Sequence, residues 1–548
     1  MSAARTVVYR ARRIHTLDPD RPVATHVAVR GGRVLGVGTP DDLRGWGVHD
    51  LDERFADRVL MPGLVEGHSH LMAGTLWQHV YCGAFDTYHP EGQAVPGLRS
   101  LPAVQDALRR GAPPGDGPIT GWGLDPLQAG ASVVTRHDLD HVSASRPVGV
   151  LHGSGHLLYA NSEALRRASL LRPGVDHPGI PLAEDGLPRG ELKGPEAMMA
   201  LLGSFGLDRA FLGGSEFGIQ AFARVAVRAG VTTATDLGAS LGDAELATLQ
   251  RVTDADDHPV RMVSALRLFG LKPAEAIERA LTLRTQSTER LRLGLVKIVA
   301  DGSIQGFSAR LRWPGYLNGA PNGLWYVAPE TVQQTFELAL RQGVQVHVHT
   351  NGDEAVDMVL DALERALRVS PAWDHRVTLQ HAQLADAAQF RRMRALGVCA
   401  NLFVNHVHYF GDVHRAVTVG PDRAERMNAC RTARDSGVTF AMHSDAPITP
   451  LAPLFTAWVA VHRRTREGRQ LGEHERIGVA DALRAITLGA AETLKLDHEI
   501  GSIACGKRAD FCVLDDDPFA VAPERLKDIG VWGTVLGGRP FAAATSPS

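Results

Sequence analysis

Short alternating runs open the chain. Thr6–Arg10, His26–Arg30 and Arg33–Gly38 place apolar and polar residues in turn, the pattern of strands with one buried face, and Gly31-Gly32 reads as a hairpin turn between the last two. The same grammar returns in Phe511–Leu514 and Val531–Leu536. The two ends, residues 1–60 and 497–548, are therefore expected to pair into one small β-sandwich domain. Between them, apolar runs near 60–66, 231–236, 260–268, 293–299, 344–349, 376–381, 398–404 and 438–444 alternate with helically spaced stretches such as Pro329–Leu340 and Glu354–Val369. Strand and helix in alternation predict an α/β fold, a (β/α)8 TIM-type barrel over 61–496. Roughly 160 residues separate the first two of those runs, far beyond an ordinary connection, so about 75–215 is expected to be an inserted subdomain over the barrel mouth.

Several of these runs end in a group able to bind metal. The first is Met61–Leu71, with His68 and His70 two apart, so that on an extended chain both imidazoles share a face. Further runs reach His349, His381 and Asp445. In the run Leu293–Gly302 the residue is Lys297, one of only six lysines in the chain. A charge inside an apolar run is costly, and a buried amine can lose its proton. A neutral lysine reacts with carbon dioxide to give a carbamate, an anionic oxygen ligand. Donors at the ends of successive strands are what a barrel active site requires.

Together with Arg136–Asp140, His156 and Asn161–Leu165, Asp301-Gly302-Ser303, Gly352-Asp353, Ser444–Pro447 and Gly501–Asp510, these residues resemble the amidohydrolase superfamily over nearly the whole chain. Within it they resemble the amidohydrolase-3 branch, which includes N-substituted formamide deformylases. The resemblance implies one or two divalent ions, zinc first among them. His68 and His70 would hold one with Asp445, His349 and His381 the other, and N-carboxylated Lys297 would bridge them. It implies hydrolysis of an amide-type C–N bond of a small molecule by a metal-bridging hydroxide, with Asp445 shuttling the proton. A capping role for Asp445 in the helix that follows is the plain alternative. Deamination of a nitrogen heterocycle is the second reading of the chemistry. A catalytically silent regulatory protein is the third.

Substrate contacts are less determined. His156 either approaches the substrate carbonyl or serves backbone hydrogen bonds in its Gly-rich loop; Trp122 and Asp125 either line the mouth or, for the tryptophan, fill core. The segments Ser303–Arg310 and Asn401–His408 depart from the common family pattern. They add Arg310, as a carboxylate clamp or a surface ion pair, and Asn405 and His406 as candidate contacts.

Composition narrows the class. A chain of 548 residues, 44% hydrophobic and 22% charged with net charge −3, is that of a globular protein with no electrostatic pull toward nucleic acid. It carries no apolar stretch of membrane-spanning length and no signal-like N-terminal core, so a cytoplasmic enzyme without membrane association, acting on a small molecule and open to homo-oligomerisation, is expected. Its five scattered cysteines suggest no disulfide framework.

Overall fold

The computed structural model describes residues 5–131, 133–207 and 213–543. Its centre is an eight-stranded parallel sheet whose order follows the sequence: β1 (Leu64–Glu66), β2 (Val231–Ala239), β3 (Arg261–Arg267), β4 (Leu291–Val299), β5 (Gln345–Thr350), β6 (Thr378–His381), β7 (Cys399–Leu402) and β8 (Phe440–Met442). Each falls within or overlaps a run read from the sequence. These strands are buried almost throughout, which is why they appear as continuous apolar runs and not as alternation. Helices such as Pro329–Gln342 and Asp353–Val369 pack between them; the first begins with proline in its first turn and ends at Gly343, at φ 62°.

The barrel is nearly closed. No ladder joins β1 to β8 among the described residues, and the seam is fastened by single bonds: Ser444 N–H to Glu66 Oε1 at 2.8 Å, Asp445 N–H to the His68 carbonyl at 3.1 Å and His70 N–H to the Ala446 carbonyl at 2.9 Å. At the N-terminal ends of the strands the Gln345 amide and the Thr378 hydroxyl both bond the carbonyl of Thr493, so helix Leu488–Thr493 plugs that end. The opposite, C-terminal ends carry the candidate ligands.

The residues of the two chain ends lie in one seven-stranded sheet, ordered Arg539–Ala542, Val531–Leu536, Phe511–Leu514, His49–Pro62, Thr6–His15, Val23–Arg30 and Arg33–Gly38. Its core contains Ile14, Phe55, Leu60, Phe511 and Val535. Between β1 and β2 a separate five-stranded sheet runs Glu191–Lys193, Leu157–Ala160, Val148–His152, Ile119–Leu124 and Val80–Tyr81. Helix Gly194–Leu202 follows its edge strand directly. No helix of the described residues is long and apolar enough to cross a membrane.

Candidate active site

The barrel strands bring their terminal donors to one place. His68 Nε2 and His70 Nε2 each lie 3.4 Å from Asp445 Oδ1, and His381 Nδ1 lies 3.6 Å from Asp445 Oδ2. The ligand atoms of His68, His70 and Asp445 fall within 4.8 Å of one another, and so do those of His68, His381 and His443. The His349 ring stands 4.5 Å from His381 and 4.9 Å from His156. Lys297 is buried on β4, in register with His347 on β5.

Outer contacts fix which nitrogens face inward. His68 Nδ1 is 2.7 Å from Gln380 Oε1, a bond in which the ring must donate, so its Nε2 keeps a lone pair toward Asp445. The Gln380 amide also donates to His347 Nδ1 at 2.8 Å, and Asn401 donates to Gln380 Oε1 at 2.9 Å. His349 Nε2 lies 3.1 Å from the Gly302 carbonyl, which leaves Nδ1 for the site. Both nitrogens of His381, both of His443, the Lys297 amine and Asp445 Oδ1 are buried without a hydrogen-bond partner. Such groups are expensive to leave unpaired. A divalent ion suits them: imidazole nitrogens and a carboxylate oxygen, converging from different strands, are the donor set such an ion accepts. His381 and Asp445 also hold left-handed backbone conformations, at φ 68° and 53°, of the kind that persists where surrounding structure imposes it.

The electrostatics agree. Burial lowers the Lys297 amine to about 7 against the pull of Asp445, so much of it is neutral near pH 7. Burial raises the Asp445 carboxyl, but contact with His70 and the charges of His70, His443 and Lys297 outweigh this and hold it below its ordinary value. Burial lowers His156 to about 4, opposed by Asp445, leaving a neutral ring.

His68, His70, Lys297, His349, His381 and Asp445 line a cavity of about 610 Å3. His156 lines it too, delivered by the hairpin between Val148–His152 and Leu157–Ala160. The remaining candidates lie elsewhere. Trp122 packs against Trp77 and Tyr81 and faces a separate cavity of about 330 Å3. Asp125 accepts the backbone N–H of Leu127 in a turn. Arg310 pairs with Glu354 at 2.9 Å, over the ring of Trp325. Asn405 donates to Thr449 Oγ1, bracing the loop after Asp445, and His406 packs on Phe403 at 4.1 Å.

Other residues enter that the sequence reading left out. Asp236, within β2, lies 3.8 Å from His70 Nδ1, and Tyr326 lines the cavity beside His156. His443 was within reach of the same-face argument used for His68 and His70, since it stands two residues before Asp445. Glu66, two residues before His68, was within reach of the same argument, whereas Gln380 and Asn401 had no such signal, because their partners are distant in sequence.

Comparison with known proteins agrees with this architecture. The chain is 29% identical to the protein LONG AFTER FAR-RED 3 of Arabidopsis thaliana, over 96% of this chain and 90% of that protein. It is 26% identical to an N-substituted formamide deformylase of Arthrobacter pascens over 96% of each. An uncharacterized metal-dependent hydrolase of Pyrococcus horikoshii has the same fold, with a TM-score of 0.71 at 20% identity over 94% of this chain and 99% of that one. The Amidohydrolase family profile Amidohydro_3 matches residues 56–542, and the chain belongs to that family.

Proposed function

We propose that this protein hydrolyses an amide-type C–N bond of a small molecule, using one or two divalent ions, zinc first among them, held by His68, His70, His349, His381 and Asp445 with N-carboxylated Lys297 between them. The observation that carries this reading is the convergence of partnerless buried donors from β4, β6 and the segment after β8 on one end of the barrel. Divalent metal held there would acidify a water near neutral pH and polarise the scissile carbonyl.

The chain's own groups do the rest. Neutral Lys297 attacks carbon dioxide through Nζ, forming an N–C bond and releasing a proton to solvent; the product is anionic. Asp445, ionised and buried beside His68, His70 and His381, accepts the proton of the attacking water and passes it to the departing nitrogen. Neutral His156, beside His349 and Tyr326, orients the substrate carbonyl by a hydrogen bond. The described residues of 75–215 act as a unit of their own forming the outer wall of the cavity, and those of the paired chain ends as another flanking the barrel.

The test is reconstitution with divalent metal and bicarbonate, elemental analysis, and a screen of N-formyl, N-acyl, cyclic amide and carbamate compounds read by amine release. We expect up to two ions per chain and turnover of at least one amide class. Lys297→Ala loses one ion, and a short carboxylic acid partly restores it. Ammonia release from a nitrogen heterocycle in place of amine release would establish the deaminase instead. Stoichiometry fixed at one ion with an unmodified lysine removes the bridging assignment.

A further inference from the structure

Helix Gly194–Leu202 is apolar nearly all round, and such a helix is stable only when every face is covered. One face is covered: Ala197, Met198, Leu201 and Leu202 join a core with Leu158, Leu192 and Phe205. A stripe overlapping it, at Pro195, Met198, Met199 and Leu202, follows the i, i+3, i+4, i+7 spacing and borders the metal-site cavity, with Met198 and Leu202 shared between that core and the cavity wall. Met199 remains 40% exposed there, the rest of its side chain forming the rim. Leu151, Leu207, Leu268 and Phe269 continue the same wall. The cavity of about 610 Å3 is far larger than a scissile amide and its metal require, and lies within the range of small-molecule pockets.

We infer that this wall is the subsite for an uncharged, bulky apolar substituent, alkyl or aryl, so that the substrates are amide-type compounds bearing such a group and not compact or ionic ones. The inference rests on the hydrolase reading above and names its substrate class. Methionine suits the role because its unbranched, polarizable side chain moulds to differently shaped groups. Arg267 also borders the cavity, but its guanidinium carbon lies 5.2 Å over the Phe269 ring and its charge acts on Glu245, opposing the rise that burial gives that carboxyl. It is thus engaged by the protein, and the wall does not call for an anionic ligand.

The probe is a series of straight-chain hydroxamic acids, from acetohydroxamic to octanohydroxamic, titrated calorimetrically into the metal-reconstituted protein. All share one chelating head, so only the tail varies. We expect Kd to fall about fourfold per added methylene until the tail fills the wall. A tail ending in carboxylate or ammonium forfeits the gain. Met199→Glu, at the exposed rim, lowers the preference for octanohydroxamic over acetohydroxamic acid by about tenfold or more, and Met199→Gln repeats the measurement without adding charge. Equal Kd along the series, or tighter binding of a charged tail, overturns the inference while acetohydroxamate binding and amide turnover leave the hydrolase reading standing. No hydroxamate binding together with no turnover of any amide defeats that reading, and this inference with it.

Discussion

His381 and His414 are both enclosed histidines of the same barrel, 2% and 0% exposed, and they differ in one respect. His414 is complete: Gln383 donates to its Nε2 at 3.0 Å, and its Nδ1 donates to Thr418 Oγ1 at 2.9 Å, which is the neutral ring with one donor and one acceptor used. His375 is satisfied in the same way, by the Leu396 carbonyl and the Val377 N–H. His381 has no partner at either nitrogen, and it faces His68, His349 and Asp445. Burial alone therefore does not mark a candidate metal-binding histidine in this chain. What marks it is hydrogen-bonding capacity that the protein leaves unspent and aims at other such groups.

The strongest way to break that contrast is at Asp445, the carboxylate that His68, His70 and His381 share. Asp445→Asn keeps size and an oxygen donor but cannot carry a proton, so kcat should fall by ~10²–10⁴ with most of the metal retained. Kinetics and elemental analysis on one preparation check it, and a near wild-type rate would remove the proton role.

Next comes the pair itself. His381→Ala should lose metal while costing little in unfolding free energy in the presence of chelator, because the ring it removes satisfies nothing. His414→Ala should do the opposite, keeping metal and losing about 1–3 kcal/mol as Gln383 and Thr418 are left unpaired. If both variants behave alike in denaturant titration and metal analysis, the distinction fails.

A smaller effect is expected at Gln380, which has no contact with substrate in this scheme. Gln380→Leu frees the His68 ring to turn and should weaken metal binding by roughly 10–100-fold, read by competition with a chromophoric chelator. An unchanged affinity would mean that packing alone orients His68.

The smallest concerns pH. Burial lowers His414 to about 3, below its ordinary 6.5, so the unfolded chain binds the proton first as pH falls. Stability contributed by the neutral ring is thus full above pH 6.5 and declines below it. Between pH 6 and pH 5 the stability advantage of wild type over His414→Gln should shrink by about 1.2 kcal/mol. A constant difference would show that the ring is protonated in the fold.

The barrel was legible because parallel strands covered on both sides are unbroken apolar runs, because His349 and His381 sit at the strand ends where such runs stop, and because Lys297 interrupts its run two residues before the end of β4. The five-stranded sheet within 80–193 was not, since its strands are two to six residues long and its pairing mixes parallel and antiparallel neighbours. Among single residues, a position near the barrel mouth did not reveal which way a side chain turns. Arg310 lies in a loop whose backbone N–H bonds Asp301, and its guanidinium leaves toward Glu354. Gln380 reads as one more polar residue in a strand until the fold sets His68 against it. Its partner lies 312 positions away, and no local pattern encodes that.

The seam of the barrel carries a consequence for folding. Glu66 and Ser444 meet across 378 positions of sequence, and the donors that flank them, His68 and His70 on one side and Asp445 on the other, belong to opposite lips of the same gap. An ion held by all three would be a clasp, acting where the described residues form no strand ladder. Its affinity and the closure of the cylinder are then one quantity measured twice. An ion at a hundred times its Kd holds the lips together by about 2.7 kcal/mol, and any loosening of the gap returns as a weaker grip on the ion.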